Sequence, residues 1–286
     1  MTMPKTLVTG ATGRVGSRFV PRLLERGGAV RVLVRDAERG AVLGRRGAEV
    51  AVGDLRRPET LAPALAGVEA VVHLGASFRG VADAEAVAVN LAGTLALARA
   101  ATLAGVHRFV YASTNLVYGP GRGRPAREDD EPRLAEDARA YPASKLAAER
   151  ALAELARAEG LGLRVLRLAF VYGEGDPHLG EVTPQLQSWP AAKRLHMVHH
   201  ADVAQALLLA LAADDVDGRT YNVADDAPVT AADLLRLSGL PAPEEAAGQA
   251  PADPWEGIVD TARLRDDLGF RPTYPSVVAA RDAGAL

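Results

Sequence analysis

The 286-residue sequence contains no cysteine. Disulfide frameworks, thiolate-bound zinc, iron–sulfur clusters and a thiol nucleophile are therefore excluded, and the zero count fits a reducing compartment. Aromatic residues are scarce at 5%, so the core must be built mostly from alanine, valine and leucine. There is no excess of positive charge. Lys and Arg number 33 against 36 Asp and Glu, and the net charge of −3 excludes the basic footprint of a nucleic-acid-binding protein. Long hydrophobic runs are missing as well. The first, Thr6-Leu7-Val8, leads straight to Gly10 and is too short for a signal-peptide core. The longest, around residues 206–213, falls well below the ~20 residues of a membrane span. These absences predict a soluble cytoplasmic protein with neither nucleic acid nor membrane as partner.

What is present has an ordinary globular balance. Apolar residues make up 48% and charged residues 24%, which excludes wholesale disorder. At roughly 150 residues per domain, the length predicts about two domains, or one with an appendage. Short β-prone runs alternate with helical periodicity. Strands are predicted at 5–9, 30–34, 49–52, 70–74, 109–113 and 164–168, and helices up to Gly27-Gly28, over 90–103 and over 144–159. Pro21 falls inside the first helix, where it removes a hydrogen bond. The strands have little polar interruption, as in parallel sheets buried on both faces. The fold class is therefore α/β, a doubly wound parallel sheet. Past Gly173 the pattern weakens. Segment 174–194 carries three prolines and no clear period, 198–213 resumes strand and helix, 220–223 is one more strand, and 241–254 is a Pro/Ala/Glu-rich loop. The expected division is a dinucleotide-binding domain from 1–173 and 198–223, with a small discontinuous substrate-binding region from 174–197 and 224–286.

The first strand ends in Gly10-Ala11-Thr12-Gly13-Arg14-Val15-Gly16 and opens an amphipathic helix. Glycines at spacing three let the backbone turn tightly and approach a pyrophosphate at the helix N-terminus. The second strand is followed by Arg35 and Asp36. Arg35 at the discriminating position suits a 2′-phosphate and favours NADP. A register slip of one residue puts Asp36 there instead and selects NAD. Asp54, in Gly53-Asp54-Leu55, is either an acceptor for the adenine amine or a turn aspartate.

Tyr141 and Lys145 are four apart at the start of a helix and share a face. An ammonium beside a phenol favours the phenolate and is expected to lower its pKa, making Tyr141 a general acid/base. Ser113-Thr114 end the fifth strand, at the sheet edge that faces the ligand crevice in doubly wound folds. A hydroxyl there can hydrogen-bond a substrate carbonyl.

With these residues in place, the chain resembles the extended short-chain dehydrogenase/reductases of the NAD(P)-dependent epimerase/dehydratase family, from about residue 5 to about residue 272. The resemblance is carried by residues 10–16, by Gly53-Asp54-Leu55, by Val71-Val72-His73-Leu74-Gly75-Ala76 and by Val89-Asn90-Leu91-Ala92-Gly93-Thr94. It continues through Ser113-Thr114-Asn115-Leu116-Val117-Tyr118-Gly119, Tyr141-Pro142-Ala143-Ser144-Lys145 and Arg167-Leu168-Ala169-Phe170-Val171-Tyr172-Gly173. It ends with His199-His200-Ala201-Asp202-Val203-Ala204, Tyr221-Asn222-Val223 and Asp260-Thr261 ahead of Leu268-Gly269-Phe270. It implies a Rossmann fold. Tyr141 would be the proton donor and acceptor, Thr114 the catalytic hydroxyl, and Lys145 the holder of the nicotinamide ribose. Asn90 would stand beside the cofactor, and Leu74, Gly75 and Ala76 would line the adenosine side. It also implies a homodimer through helices 90–103 and 144–159.

Departures from the family pattern bear on the substrate. Sugar-nucleotide members usually carry asparagine where this chain has Phe170, and arginine where it has Leu195, next to Arg194. A further arginine is often found before a Gly-Asp pair, where this chain has Ala250-Pro251-Ala252-Asp253. A diphosphate needs such charge-assisted donors, so a substrate without a nucleotide is favoured. Asn115-Leu116, in place of acids after the hydroxyl residue, argues against dehydration. The expected activity is NADP-dependent, with NAD as the alternative, and interconverts a carbonyl and a secondary alcohol. The alternative reading is a nucleotide-sugar 4-epimerase with tightly held NAD, and a non-catalytic cofactor sensor is a third.

The remaining candidates have plainer readings. His196, His199 and His200 invite a metal, but no ligand-like helical spacing supports one, and none is expected. His73 reads as structural. The charges of Arg122, Arg124 and Arg127 with 128–131 nearly cancel in a loop. Trp189 and Trp255 are either pocket walls or packing anchors.

Overall fold

A computed structural model describes residues 3–78, 82–134, 138–241 and 253–286. In chain order the elements are β1 (Thr6–Thr9), α1 (Gly16–Glu25), β2 (Val30–Val34), α2 (Ala37–Arg45), β3 (Glu49–Val52), α3 (Leu61–Leu65) and β4 (Ala70–His73). Then come α4 (Asp83–Val87), α5 (Thr94–Leu103), β5 (Arg108–Thr114), α6 (Ala140–Glu159), β6 (Leu163–Leu168), β7 (Phe170–Tyr172) and α7 (His178–Leu186). The chain ends with β8 (Arg194–Leu195), β9 (Met197–His199), α8 (His200–Ala212), β10 (Thr220–Val223), β11 (Val229–Thr230), α9 (Ala231–Leu237), α10 (Ala262–Leu268) and α11 (Val277–Asp282).

Seven strands form one sheet in the order β10-β6-β5-β4-β1-β2-β3. The pairs β1–β2, β2–β3, β1–β4 and β4–β5 are parallel. Every residue of β1, β2 and β4 is buried, which explains their lack of alternation in the sequence. β1 to β3 wind in one direction and β4 returns to the other side of β1. The carboxyl ends of β1 and β4 therefore meet at the switch point, where such sheets bind ligands.

The chain divides into two compact units. The first comprises Met1–Thr114, Asp137–Leu166 and Ala204–Tyr221. The second comprises Asn115–Glu136, Arg167–Val203 and Asn222–Leu286. This division differs from the sequence-based one, because residues 115–136 are tied by hydrogen bonds to the C-terminal segment. Asn115 Nδ2 donates to the Gly257 carbonyl at 2.8 Å, Ala126 N to the Ile258 carbonyl at 2.9 Å, and Asn222 Nδ2 to the carbonyls of Ala126 and Asp260 at 3.1 and 3.0 Å.

Each unit has its own apolar cluster. The first is built around Leu7, Val71, Leu97, Phe109, Tyr111, Leu152 and Val165, and the second around Tyr172, Leu195, Met197, Leu234 and Val277. Burial of such side chains, worth about 1.5–3 kcal/mol each, is the main driving force for both units.

Two helices depart from expectation. Segment 174–194 contains α7, whose buried residues His178, Val182 and Leu186 recur every four positions. The prolines hid this period. Pro177 is the N-cap, where a missing N–H costs nothing, and Pro184 falls near the end. α6 begins at Ala140, four residues earlier than predicted, because Pro142 is tolerated in a first turn. Pro21 lies inside α1, and nothing in the structure explains it. The helical path Asp83–Leu103 is long and apolar enough, by length and composition, to cross a membrane, and 39% of its most apolar window is buried in the protein. The loop expected at 241–254 lies almost entirely outside the described residues, as do Ala250, Pro251 and Ala252.

Candidate active site

The reactive side chains predicted from sequence are gathered in the first unit by α6, the end of β5 and an irregular helical turn. Tyr141 and Lys145 lie in the first two turns of α6. Thr114 ends β5 and is buried. Lys145 Nζ donates to the Ala112 carbonyl at 2.7 Å, two residues before Thr114, and lies 4.5 Å from the centre of the Tyr111 ring. Lys145 is 2% exposed, and this burial lowers its pKa to about 7, with Glu149 opposing the shift.

Tyr141 behaves differently from expectation. Desolvation pushes its phenol up rather than down, because its ammonium neighbour is directed to the Ala112 carbonyl and the Tyr111 ring. The phenol therefore stays protonated at neutral pH. Phe78, 40% exposed, packs edge-on against the Tyr141 ring with centroids 4.6 Å apart.

Asn90 is fully buried in a π-helical turn, Ala88–Gly93, between α4 and α5. Such turns are rare and frequent at functional sites. Its Oδ1 accepts from Ser77 N at 2.7 Å, and its Nδ2 donates to the Ser77 carbonyl at 2.9 Å and to Ser144 Oγ at 3.0 Å. Ser144 Oγ in turn donates to the Tyr141 carbonyl at 3.0 Å. Asn90 thus fastens the loop after β4 to the first turn of α6. Ser144 and Glu149 make buried contacts that sequence reasoning missed. Ser144 was visible only as part of a motif, and Glu149 only as a charged residue one turn past Lys145 on a buried face.

At the switch point the backbone is tightly built. Gly10 has φ +66°, and a Cβ there would lie 2.6 Å from both the Leu74 carbonyl carbon and Gly75 N. A Cβ on Gly16 would lie 2.2 Å from the Gly10 carbonyl oxygen. α1 has no side-chain cap and no acid in its first turn, so no side chain competes for its leading N–H groups. This glycine cradle fits a dinucleotide pyrophosphate. Around it, Thr12 and Val15 are half-buried, while Gly13 and Arg14 are exposed. Leu55 packs beneath Gly75 and Gly93, and Ala76 is exposed.

His73 is enclosed between Thr9 Oγ1 at 2.6 Å and Thr94 Oγ1 at 2.8 Å, and burial lowers its pKa to about 3. Thr9 Oγ1 also accepts from Gly75 N at 3.2 Å, so neutral His73 braces the cradle. Beyond β2, Arg35 is exposed. Asp36 caps α2 by accepting from Glu38 N at 2.9 Å. The Asp54 carboxylate is paired with Arg56 at 2.8 Å, which lowers its pKa.

In the second unit a cavity of about 260 Å³ is lined by Arg194, His196, Asp225, Trp255 and Ile258, among others. Trp255 is thus a wall, with the Arg194 guanidinium 4.7 Å over its ring, whereas Trp189 packs against the second apolar cluster. Burial raises the Asp225 pKa to about 8, and its Oδ2 has no hydrogen-bond partner among the described residues. The histidines are engaged separately. His196 bonds to the Asp225 carbonyl, His199 to the Ala285 carbonyl, and His200 to the buried Asp176 carboxylate at 2.7 Å. Among the described residues no group of three His, Asp or Glu could hold a metal. Arg124 and Asp130 form an ion pair at 2.6 Å within the charged loop. Phe170 stacks on His178 with centroids 4.1 Å apart, and Leu195 is buried in the apolar cluster.

The model of the NAD dependent epimerase/dehydratase family matches residues 6–224. The 4-hydroxy-2-methyl-3-oxo-4-farnesyl-3,4-dihydroquinoline-1-oxide ketoreductase of Stigmatella aurantiaca is 32% identical over 244 residues, 82% of this chain and 72% of that protein. The UDP-glucose 4-epimerase of Vibrio cholerae is 34% identical over 182 residues, 60% of this chain and 54% of that protein. A solved short-chain dehydrogenase/reductase superfamily protein from Agrobacterium tumefaciens, with bound NAD, matches with a TM-score of 0.78 and 27% identity over 97% of each chain.

Two predictions follow from this geometry. Gly10→Ala adds a methyl group where backbone already stands and strains a left-handed residue by about 1–2 kcal/mol. Dinucleotide affinity, measured by fluorescence titration, should fall about tenfold or more; wild-type affinity would contradict the cradle. Asp225 binds a proton in the folded chain up to pH about 8 but releases it near pH 4 when unfolded. Stability should therefore fall as pH rises from 4 to 8. Asp225→Asn should flatten that decline in a series of thermal melts.

Proposed function

The chain belongs to the NAD-dependent epimerase/dehydratase family, and from that premise we propose that it is a carbonyl reductase or alcohol dehydrogenase acting on a substrate without a nucleotide. The observation that carries this reading is the placement of Tyr141 and Lys145 on α6 against the end of β5, beside Thr114. A protein that only sensed the cofactor would have no use for this set.

The hydride is what the dinucleotide contributes when bound. Gly10, Gly13, Gly16 and the loop of Leu74 and Gly75 would hold its phosphates, and Lys145 would hold a ribose. In reduction, the Tyr141 phenol gives its proton to the substrate oxygen while Thr114 holds that oxygen by a hydrogen bond. The phenol is protonated at neutral pH and so is loaded as a donor for this direction. In oxidation the alcohol proton passes to the Tyr141 phenolate, so that direction first requires the phenol to lose its proton.

NADP is the preferred cofactor. Asp36 is occupied as a helix cap, which leaves the exposed Arg35 as the residue suited to a 2′-phosphate. A substrate lacking a nucleotide is supported by Phe170 stacked on His178 and Leu195 buried among apolar neighbours, since neither offers a donor to a diphosphate. The ketoreductase relative agrees with this choice. The epimerase reading rests on the likeness to UDP-glucose 4-epimerase over 60% of the chain. A cytoplasmic homodimer through the outer faces of residues 90–103 and 144–159 completes the reading, and Leu103 is 90% exposed there.

Tyr141→Phe is the test. Oxidation of NADPH with a panel of ketones and aldehydes should lose at least about a hundredfold in kcat, with cofactor affinity unchanged. Retained turnover would overturn the assignment.

A further inference from the structure

Glu149 is buried at 6% exposure on α6, one helical turn beyond Lys145 and two beyond Tyr141. A carboxylate is rarely buried without a task or a partner. Its Oε1 accepts a hydrogen bond from the Ser113 hydroxyl, itself 3% exposed. Two consecutive residues of β5, just before Thr114, are thus engaged by α6. The Ala112 carbonyl takes the Lys145 ammonium, the Ser113 hydroxyl takes Glu149, and Thr114 follows with its own hydroxyl. One face of α6 thereby clamps the strand that presents Thr114.

We propose that Glu149 is a positioning residue that acts through Ser113, to fix the backbone beside Thr114, and through its charge, to hold Lys145 as an ammonium. This rests on the reading of Tyr141, Lys145 and Thr114 as the reaction centre. The other titratable groups around Lys145 offer no such support. Tyr141 on α6 and Tyr111 on β5 are phenols held up by burial, and His73 on β4 is held neutral. Asp83 and Glu85 on α4 and Arg99 on α5 are exposed, as are Arg150, Glu154, Arg157 and Glu159 farther along α6. Glu149 is therefore the buried counter-charge. Desolvation alone drives Lys145 toward the neutral amine, and Glu149 acts against it.

The chain contains three lysines, Lys5, Lys145 and Lys193, so lysine labelled with 13C at Cε gives a spectrum that resolves each by NMR titration. Lys145→Met assigns its signal. The wild-type Lys145 midpoint is expected near pH 7. Glu149→Gln keeps an acceptor for Ser113 but removes the charge, and the midpoint should fall by about one pH unit or more, a roughly tenfold loss of ammonium at a given pH. The alkaline limb of the kcat profile should move down with it. Glu149→Asp should restore the midpoint. Ser113→Ala removes the clamp and keeps the charge, so the Lys145 midpoint should stay in place while kcat falls about tenfold or more. An unmoved midpoint in Glu149→Gln, or an Asp variant that titrates like the Gln variant, overturns the electrostatic role, and a wild-type kcat in Ser113→Ala overturns the clamp. If Glu149→Gln does not fold, Glu149→Met removes the charge in its place, with the same expected fall of the Lys145 midpoint. The NMR titration does not depend on turnover, so failure of the catalytic reading would appear separately, as activity retained by Tyr141→Phe.

Discussion

The hydrogen bond from Lys145 Nζ to the Ala112 carbonyl is the contact on which the proposed reaction centre depends. It requires an ammonium to be buried, which is costly unless the charge is solvated by protein groups. The carbonyl of β5, the face of the Tyr111 ring and the Glu149 carboxylate supply that solvation. The same arrangement fixes α6, which carries Tyr141, against β5, which carries Thr114. Asn90 extends the arrangement through Ser144 to the loop after β4. The proposed acid/base residue and the loop proposed to wall the cofactor are thus parts of a single hydrogen-bonded framework.

The switch point imposes the second constraint. Gly10 stands against the Leu74–Gly75 peptide with no room for a side chain, and Gly16 stands equally close to Gly10. Such an approach is held open by what lies beneath. His73, kept neutral by burial, bridges Thr9 and Thr94, and Thr9 also receives Gly75 N. A residue that reads as a plain core histidine therefore braces the glycine turn through Thr9.

The sheet was legible in the sequence because β1, β2 and β4 are buried throughout and carry little polar interruption. The glycine turn and the Tyr141–Lys145 spacing were legible because their chemistry is local. The direction of the Tyr141 shift was not. Spacing along a helix shows that two side chains share a face, but it does not show that one is drawn to a strand carbonyl. α7 was missed because prolines interrupt its period without breaking the helix. Glu149 was missed because its partner, Ser113, is 36 residues away in sequence. The pairing of His200 with Asp176, 24 residues apart, escaped notice for the same reason. Long-range contacts between short polar side chains leave no periodic trace.

The two enzymatic readings differ in what becomes of the dinucleotide. A reductase exchanges it at every turnover, whereas an epimerase that oxidises and then reduces the same sugar retains it. Arg35 beyond β2, Asp36 consumed as a helix cap, and the apolar Phe170 and Leu195 all favour exchange and a substrate without a diphosphate. The most direct measurement is the identity and amount of nucleotide released when the purified protein is denatured. The account predicts an empty protein, or traces of NADP well below one per chain. Near-stoichiometric NAD would contradict it.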